Sequence, residues 1–206
     1  MGANLELDIF LKKEHFSLKP LWSALDMHGL HISIEHMQIF DNWQYEHMTT
    51  IDPASLDIET SDILVTKFTL LRLEINNTWK CTLITSFEDE YVNLSFGIDS
   101  NVLIARAHND IDSSLLFLYN KATDLMNDSL SQKSLAESFL AASMGLEYSV
   151  DFHNNIMEML QEDNGVVRWI VPKTTEEAIF SEKFTKKQKS NCIVFTRLDR
   201  SQGDIA

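Results

Sequence analysis

Four histidines crowd into residues 28–47: His28, His31, His36 and His47, with Glu35 among them. Imidazoles and a carboxylate at such spacing can ligate a metal or move protons. A zinc centre needs three or four converging ligands, each held by a partner behind it. If residues 30–37 form a strand, His31, Ser33 and Glu35 share one face and His36 points to the other, which divides the set. His28 falls at the end of a predicted helix, where the helix dipole favours an imidazolium. The sequence therefore predicts neither a metal centre nor a cofactor. It leaves His31, Glu35 and His47 as candidates for an enzyme site assembled from distant residues.

Other reactive side chains fit structural roles. His108-Asn109-Asp110-Ile111-Asp112 precedes an apolar helical pattern, where acidic and small polar residues satisfy free backbone N–H groups. It lacks the glycine and the final glutamate of an EF-hand loop. Cys81 and Cys192 each sit in an apolar run and are expected in strands as small buried hydrophobes. No Gly-x-Ser-x-Gly elbow, G-x-G-x-x-G turn or Walker lysine occurs. Glu88-Asp89-Glu90 reads as a wet hairpin tip, whereas catalytic carboxylates need burial or a partner to tune them. These three are expected to be solvated or to face a partner. Lys183, Lys186, Lys187 and Lys189, interleaved with Phe180 and Phe184, read as the lysine-rich end of an exposed helix. Asp41, Trp43, Tyr45 and Glu46 combine aromatic anchors with carboxylates, a pairing that suits a protein interface, although a Trp43 buried in the core competes with that reading.

The elements that carry these residues follow from periodicity. Residues 5–11 alternate Leu5, Leu7, Ile9 and Leu11 against Glu6, Asp8 and Phe10, which predicts a half-buried strand. Ser17, Pro20 and Gly29 bracket a helix, and residues 30–40 alternate again. A short strand at Trp43 and Tyr45 is followed by a turn at Asp52-Pro53, where Pro53 opens a short helix. Strands are expected at 63–75, 78–87 and 91–98, joined by turns at Asn76-Asn77 and Glu88–Glu90. Helices then start near Asp112 or Ser113 and at Ser134, the second running through Met144 to Gly145, with a third at 154–161. Strands at 166–171 and 192–196 flank a helix at 174–186, and the tail after Ser201 frays. The predicted fold class is α+β: an antiparallel, meander-type sheet with helices packed on one face and a strand–helix–strand opening. With three prolines and six glycines in 206 residues, linker material is scarce, and one compact domain over 1–206 is expected. Its possible division is a mainly β part to residue 100 and a helical part with C-terminal strands beyond.

The charge map ranks functions. The net charge is −14. Residues 1–160 hold 9 basic and 24 acidic side chains, and residues 161–206 hold 8 and 7. No Lys or Arg lies between Lys19 and Lys67, a span that contains Asp41, Glu46, Asp57, Glu59 and Asp62; a second gap runs from Lys80 to Arg106. Such a surface repels nucleic acid and anionic membrane and steers a basic protein inward, though acidity also serves plain solubility. No basic leader, myristoylation signal or apolar run of roughly 20 residues is seen, so a cytoplasmic protein is expected. The three Asn-x-Ser/Thr matches are then chance.

In composition the chain resembles small bacterial immunity proteins, which are acidic cytosolic α+β domains. The resemblance implies a non-enzymatic inhibitor that neutralises a basic toxin such as a nuclease. Its contacts would come from Asp41, Trp43, Tyr45, Glu46, Asp57, Glu59, Asp62, Glu88, Asp89 and Glu90. The alternatives are an enzyme using His31, Glu35 and His47, and a structural subunit of a phage or secretion apparatus.

Overall fold

Strand β1 (Asn4–Lys12) buries side chains on both faces: Leu5, Ile9 and Leu11 enter one hydrophobic cluster, and on the other face Phe10 enters a second with Asp8 buried beside it. A strand with two buried faces needs neighbours on both edges, and β1 has them. In the computed structural model it pairs antiparallel with β6 (Tyr91–Asp99) on one side and β7 (Phe139–Leu146) on the other. The structure describes residues 4–42, 44, 46–55, 63–77, 79–99, 111–146, 165–175 and 183–198.

The remaining elements are α1 (Lys19–Met27), β2 (Ile32–Phe40), β3 (Thr49–Ile51), α2 (Ile63–Thr66), β4 (Phe68–Ile75), β5 (Trp79–Phe87), α3 (Ile111–Ser129), α4 (Lys133–Ser138), β8 (Arg168–Pro172), β9 (Phe184–Gln188) and β10 (Cys192–Arg197). The strands form one sheet in the order β3-β2-β4-β5-β6-β1-β7-β8-β10-β9, every pairing antiparallel. The architecture is broadly α+β, mostly antiparallel sheet with a few helices. Among the described residues no helix is long and apolar enough to cross a membrane.

The larger cluster joins Ile9, Met37, Leu71, Leu83 and Leu94 of the sheet to Leu21 of α1, Leu64 of α2, Met126 of α3 and Leu135 of α4. The second cluster is Phe10, Ala141, Val166, Trp169, Val171, Ile193 and Phe195. The period-two rule separates them cleanly: Ile170 and Val194 belong to the first, and their neighbours Trp169 and Phe195 to the second. Burial on both faces is why β8 and β10 read as unbroken apolar runs.

Local chemistry fixes the turns. Asn76 and Asn77 have φ of 53° and 51°, the left-handed pair that a tight hairpin requires. Asn76 also braces the exit of α1: its Oδ1 accepts from the His31 amide at 2.8 Å and its Nδ2 donates to the Gly29 carbonyl at 2.9 Å. Gly29 itself sits at φ 70°, where a side chain would be strained. The Glu88–Glu90 turn closes through the Glu88 amide and the Tyr91 carbonyl at 2.9 Å.

Four expectations are corrected. β1 is no half-buried strand: Phe10 is fully buried and Asp8 is 7% exposed, because the strand lies mid-sheet. The helix expected through Met144 stops at Ser138, and Phe139–Leu146 becomes β7. That segment is apolar or small apart from Ser143, and the free edge of β1 gave it a ladder that periodicity could not foresee. The strand expected at 63–75 begins only at Phe68, after the α2 turn. The lysine-rich end of the helix expected at 174–186 is instead strand β9, with four of its five residues exposed. The helix expected at 154–161 lies outside the described residues.

α3 is tied to the β9–β10 turn by Asn127, which is 8% exposed. Its Oδ1 accepts from the Asn191 amide at 3.0 Å and the Ser190 hydroxyl at 3.1 Å, and its carbonyl accepts from the Asn191 side chain at 2.8 Å. Lys189 reaches Asp124 of α3 at 2.6 Å. Asn127→Ala should cost about 2 kcal/mol by stranding buried donors, read as a lower urea midpoint at unchanged slope. Cys81 and Cys192 are free and buried, with burial raising their thiols to about 12 and about 11. Five strand spacings, about 24 Å, separate β5 from β10, too far for a disulfide. Both should resist thiol reagents at pH 8 in the native state and react at once in denaturant.

Candidate protein-binding site

Register alone gathers one end of the sheet. Phe40 pairs with Phe68, Phe87 with Val92, and Lys12 with Tyr91. The 41–48 segment after β2 and the Glu88–Glu90 hairpin between β5 and β6 therefore emerge at the same end. They lie two to three strand spacings apart, about 10–14 Å.

Asn42 organises the 41–48 segment. Its Oδ1 accepts from the amides of Gln44 at 3.1 Å and Glu46 at 3.3 Å, while its Nδ2 donates to the Glu46 carboxylate at 2.6 Å. This is an Asx-type turn, in which a side chain stands in for a backbone carbonyl. The Asp41 amide donates to the Glu46 carbonyl at 3.2 Å, closing the loop across its base. His47 holds φ 52°, an uncommon conformation for a residue with a Cβ.

Asp41 is the ionic hub. Its Oδ1 meets Lys67 Nζ at 2.6 Å and its Oδ2 meets His47 Nδ1 at 3.1 Å. The hydrogen bond and the charge of Lys67 hold the Asp41 carboxyl below its ordinary value, with His47 adding to the effect. The group faces solvent, so the contact shapes the loop more than it stabilises the fold. Two carboxylates of the linear charge gaps meet a lysine in space. Lys67 reaches Asp41, Lys80 reaches Glu35 at 3.2 Å, and Lys13 places its ammonium 3.4 Å from the Glu88 carbonyl and 4.8 Å from the Phe87 ring centroid. Glu88, Asp89 and Glu90 are exposed at the hairpin tip.

Trp43, Tyr45, Asp57, Glu59 and Asp62 lie outside the described residues. The rival catalytic set is not brought together. His31 pairs with Asp26 at 2.6 Å, Glu35 with Lys80, and His47 with Asp41. His31 precedes β2 and His47 follows it, so the nine-residue strand, about 30 Å long, separates them. Glu35 sits at a register shift between Ile34 and His36, which breaks the predicted alternation and leaves Glu35 and His36 both exposed. His28 pairs with Asp128 at 3.1 Å. No three His, Cys, Asp or Glu side chains among the described residues are grouped to hold a metal ion. Sequence reasoning missed Asn42 and Lys67. The signal for Asn42 was its place directly after the alternating run, where an Asx turn begins; Lys67 carried none.

Comparison with protein-family models, curated proteins and solved structures found no match.

Lys67→Met should raise the Asp41 carboxyl toward the ordinary aspartate value of about 3.9, measured by carboxyl-detected NMR titration. The sign follows from the lowered carboxyl: the latch is complete in neutral solution and opens as pH falls through the Asp41 titration. Asn42→Ala should speed hydrogen exchange at the Gln44 and Glu46 amides several-fold while leaving the β4–β5 amides unchanged.

Proposed function

We propose that this chain is a non-enzymatic binding protein that presents an acidic surface to a basic protein. In its most concrete form it is an immunity-type inhibitor that covers the cationic active site of a toxin or nuclease in the cytoplasm. What supports this reading is the arrival of the 41–48 segment and the Glu88–Glu90 hairpin at one end of the sheet. A chain with 31 acidic and 17 basic residues gains a steered approach from such a grouping, because like charges on one surface raise the encounter rate of an oppositely charged partner. The bonds among Asp41, Asn42, Gln44 and Glu46 add a second element. A recognition segment already held by Asn42 and Asp41 loses little conformational freedom on binding. Trp43 and Tyr45 would supply the anchors and the flanking carboxylates the orientation.

The test is capture of partners from the native host at low and moderate salt, identified by mass spectrometry. The expected result is one basic protein in near-equal amount, whose retention falls as salt rises. Charge reversal of Asp57, Glu59 and Asp62 together, and separately of Glu88 and Glu90, should each weaken the pair at least tenfold and flatten its salt dependence. Recovery of the chain alone at both salts, or unchanged affinity after both reversals, would remove the acidic-surface mechanism.

A further inference from the structure

Strand β7 has the composition of a helix. Among the ten described strands it alone contains no Val, Ile or Thr, and its sequence Phe-Leu-Ala-Ala-Ser-Met-Gly-Leu is dominated by Leu, Ala and Met, which favour helix. No connecting residue separates it from α4, because α4 ends at Ser138 and β7 begins at Phe139. The Phe139 amide still donates to the Leu135 carbonyl, the bond of a helical turn, while Phe139 pairs with Leu11 in the ladder. The ladder is irregular at the same place: Phe10 faces Ala141 and Leu11 faces Phe139, so Leu140 is an extra residue on β7.

Continued as a helix, the segment is amphipathic. Leu135, Phe139, Ala142 and Leu146 recur at i, i+4, i+7 and i+11 as one apolar stripe, with Lys133 and Glu137 on the opposite side. Those two are exposed and stand 3.6 Å apart as an i,i+4 ion pair. The six residues of α4 make fewer than two turns, and so short a helix gains little from its own bonds. Joined by the eight residues of β7, it reaches the length of roughly 12–15 residues at which a helix begins to hold. The two alternatives also differ in reach. A helical bond closes over four residues, whereas the β1 ladder joins Leu5 to Leu146 and the β8 ladder joins Ser143 to Trp169. Distant pairing loses chain entropy before its bonds compensate, so local structure forms first.

We propose that residues 133–146 are a helix-to-strand switch: they form one helix while the sheet is open, and Phe139–Leu146 converts to β7 when the edges of β1 and β8 close on it. β7 lies between β1 and β8, so in the open form the strands stand as two parts, β3-β2-β4-β5-β6-β1 and β8-β10-β9. Burial on two faces drives the conversion. Ala141 joins the cluster of Trp169 and Phe195, while Ala142 and Met144 join that of Ile9 and Ile170, a division that one helical stripe cannot make. Chains of this length commonly fold through such partly assembled forms. The acidic end of the sheet belongs wholly to the six-stranded part, so the switch stands apart from the proposed binding function.

The experiment is refolding of the full chain from urea, followed by pulse-labelled hydrogen exchange with mass spectrometry of fragments and, in parallel, by far-ultraviolet circular dichroism. In the wild type the amides of 139–146 should gain protection at least tenfold sooner than those of β1 and β8. The helical dichroism signal should rise above its native value before falling to it. Leu140→Ile with Leu146→Ile keeps side-chain volume and favours the strand. This double variant should reach the native dichroism, with the overshoot cut by about half and its decay about threefold faster. Protection of 139–146 in step with β1, with no overshoot, would overturn the switch. An overshoot of unchanged size and rate in the double variant would place the extra helix elsewhere in the chain and overturn it as well.

Discussion

β1 must satisfy its backbone groups on both edges while its side chains are buried on both faces. A strand of this kind cannot lie at a border, because buried unpaired N–H and C=O groups are costly. Its ladder to β6 brings in the meander of β2, β4 and β5, and its ladder to β7 brings in β8, β10 and β9. Phe10 joins the second cluster while Ile9 and Leu11 join the first, so one short segment contributes to both. The register of β1 against β6 also sets where every other turn emerges, because antiparallel neighbours fix one another's ends. The meeting of the 41–48 segment with the Glu88–Glu90 hairpin is thus a consequence of pairing and needs no direct contact between them.

Charge is distributed on that frame in two ways. Two carboxylates of the β2–β5 region that have no basic neighbour in sequence find one across the sheet or across a loop, Asp41 with Lys67 and Glu35 with Lys80. Each such pair is exposed and adds little to stability. The lysines of β9 lie at the opposite end of the strand order from β2 and β3. Lysines on an outermost strand discourage edge-to-edge pairing, which accounts for a basic run in an acidic chain without invoking nucleic acid. Asp8, Arg168 and Arg197 carry their charges buried, and the hydrogen-bond acceptors that meet Arg168 are the neutral Asn120 and Thr123.

Much of this was legible before the fold was seen, and the reasons differ from place to place. The Asn76-Asn77 hairpin was readable because positive φ is a local demand that asparagine meets. The boundaries of α1 were readable from Pro20 and Gly29, and the β4–β5–β6 meander from the turns at Asn76-Asn77 and Glu88–Glu90 that separate its strands. β7 was misread because Phe139–Leu146 is apolar or small apart from Ser143, and only the neighbouring strands decide between helix and ladder for such a run. β9 was misread because a lysine-rich edge strand and a lysine-rich helix end share a composition. The pairing of Asp41 with Lys67 spans 26 residues, beyond the reach of any periodicity. The neutral acceptors of Arg168 come from α3, 45 and 48 residues away, which sequence does not state.

The most direct measurement of the central claim is a hydrogen-exchange footprint of the captured basic partner on the full chain. The account predicts slowed exchange confined to residues 41–48 and 88–90 and to the segment between β3 and α2, with α3 and β9 unchanged. Protection confined to α3 or β9, with the 41–48 and 88–90 amides exchanging as in the free chain, would contradict it.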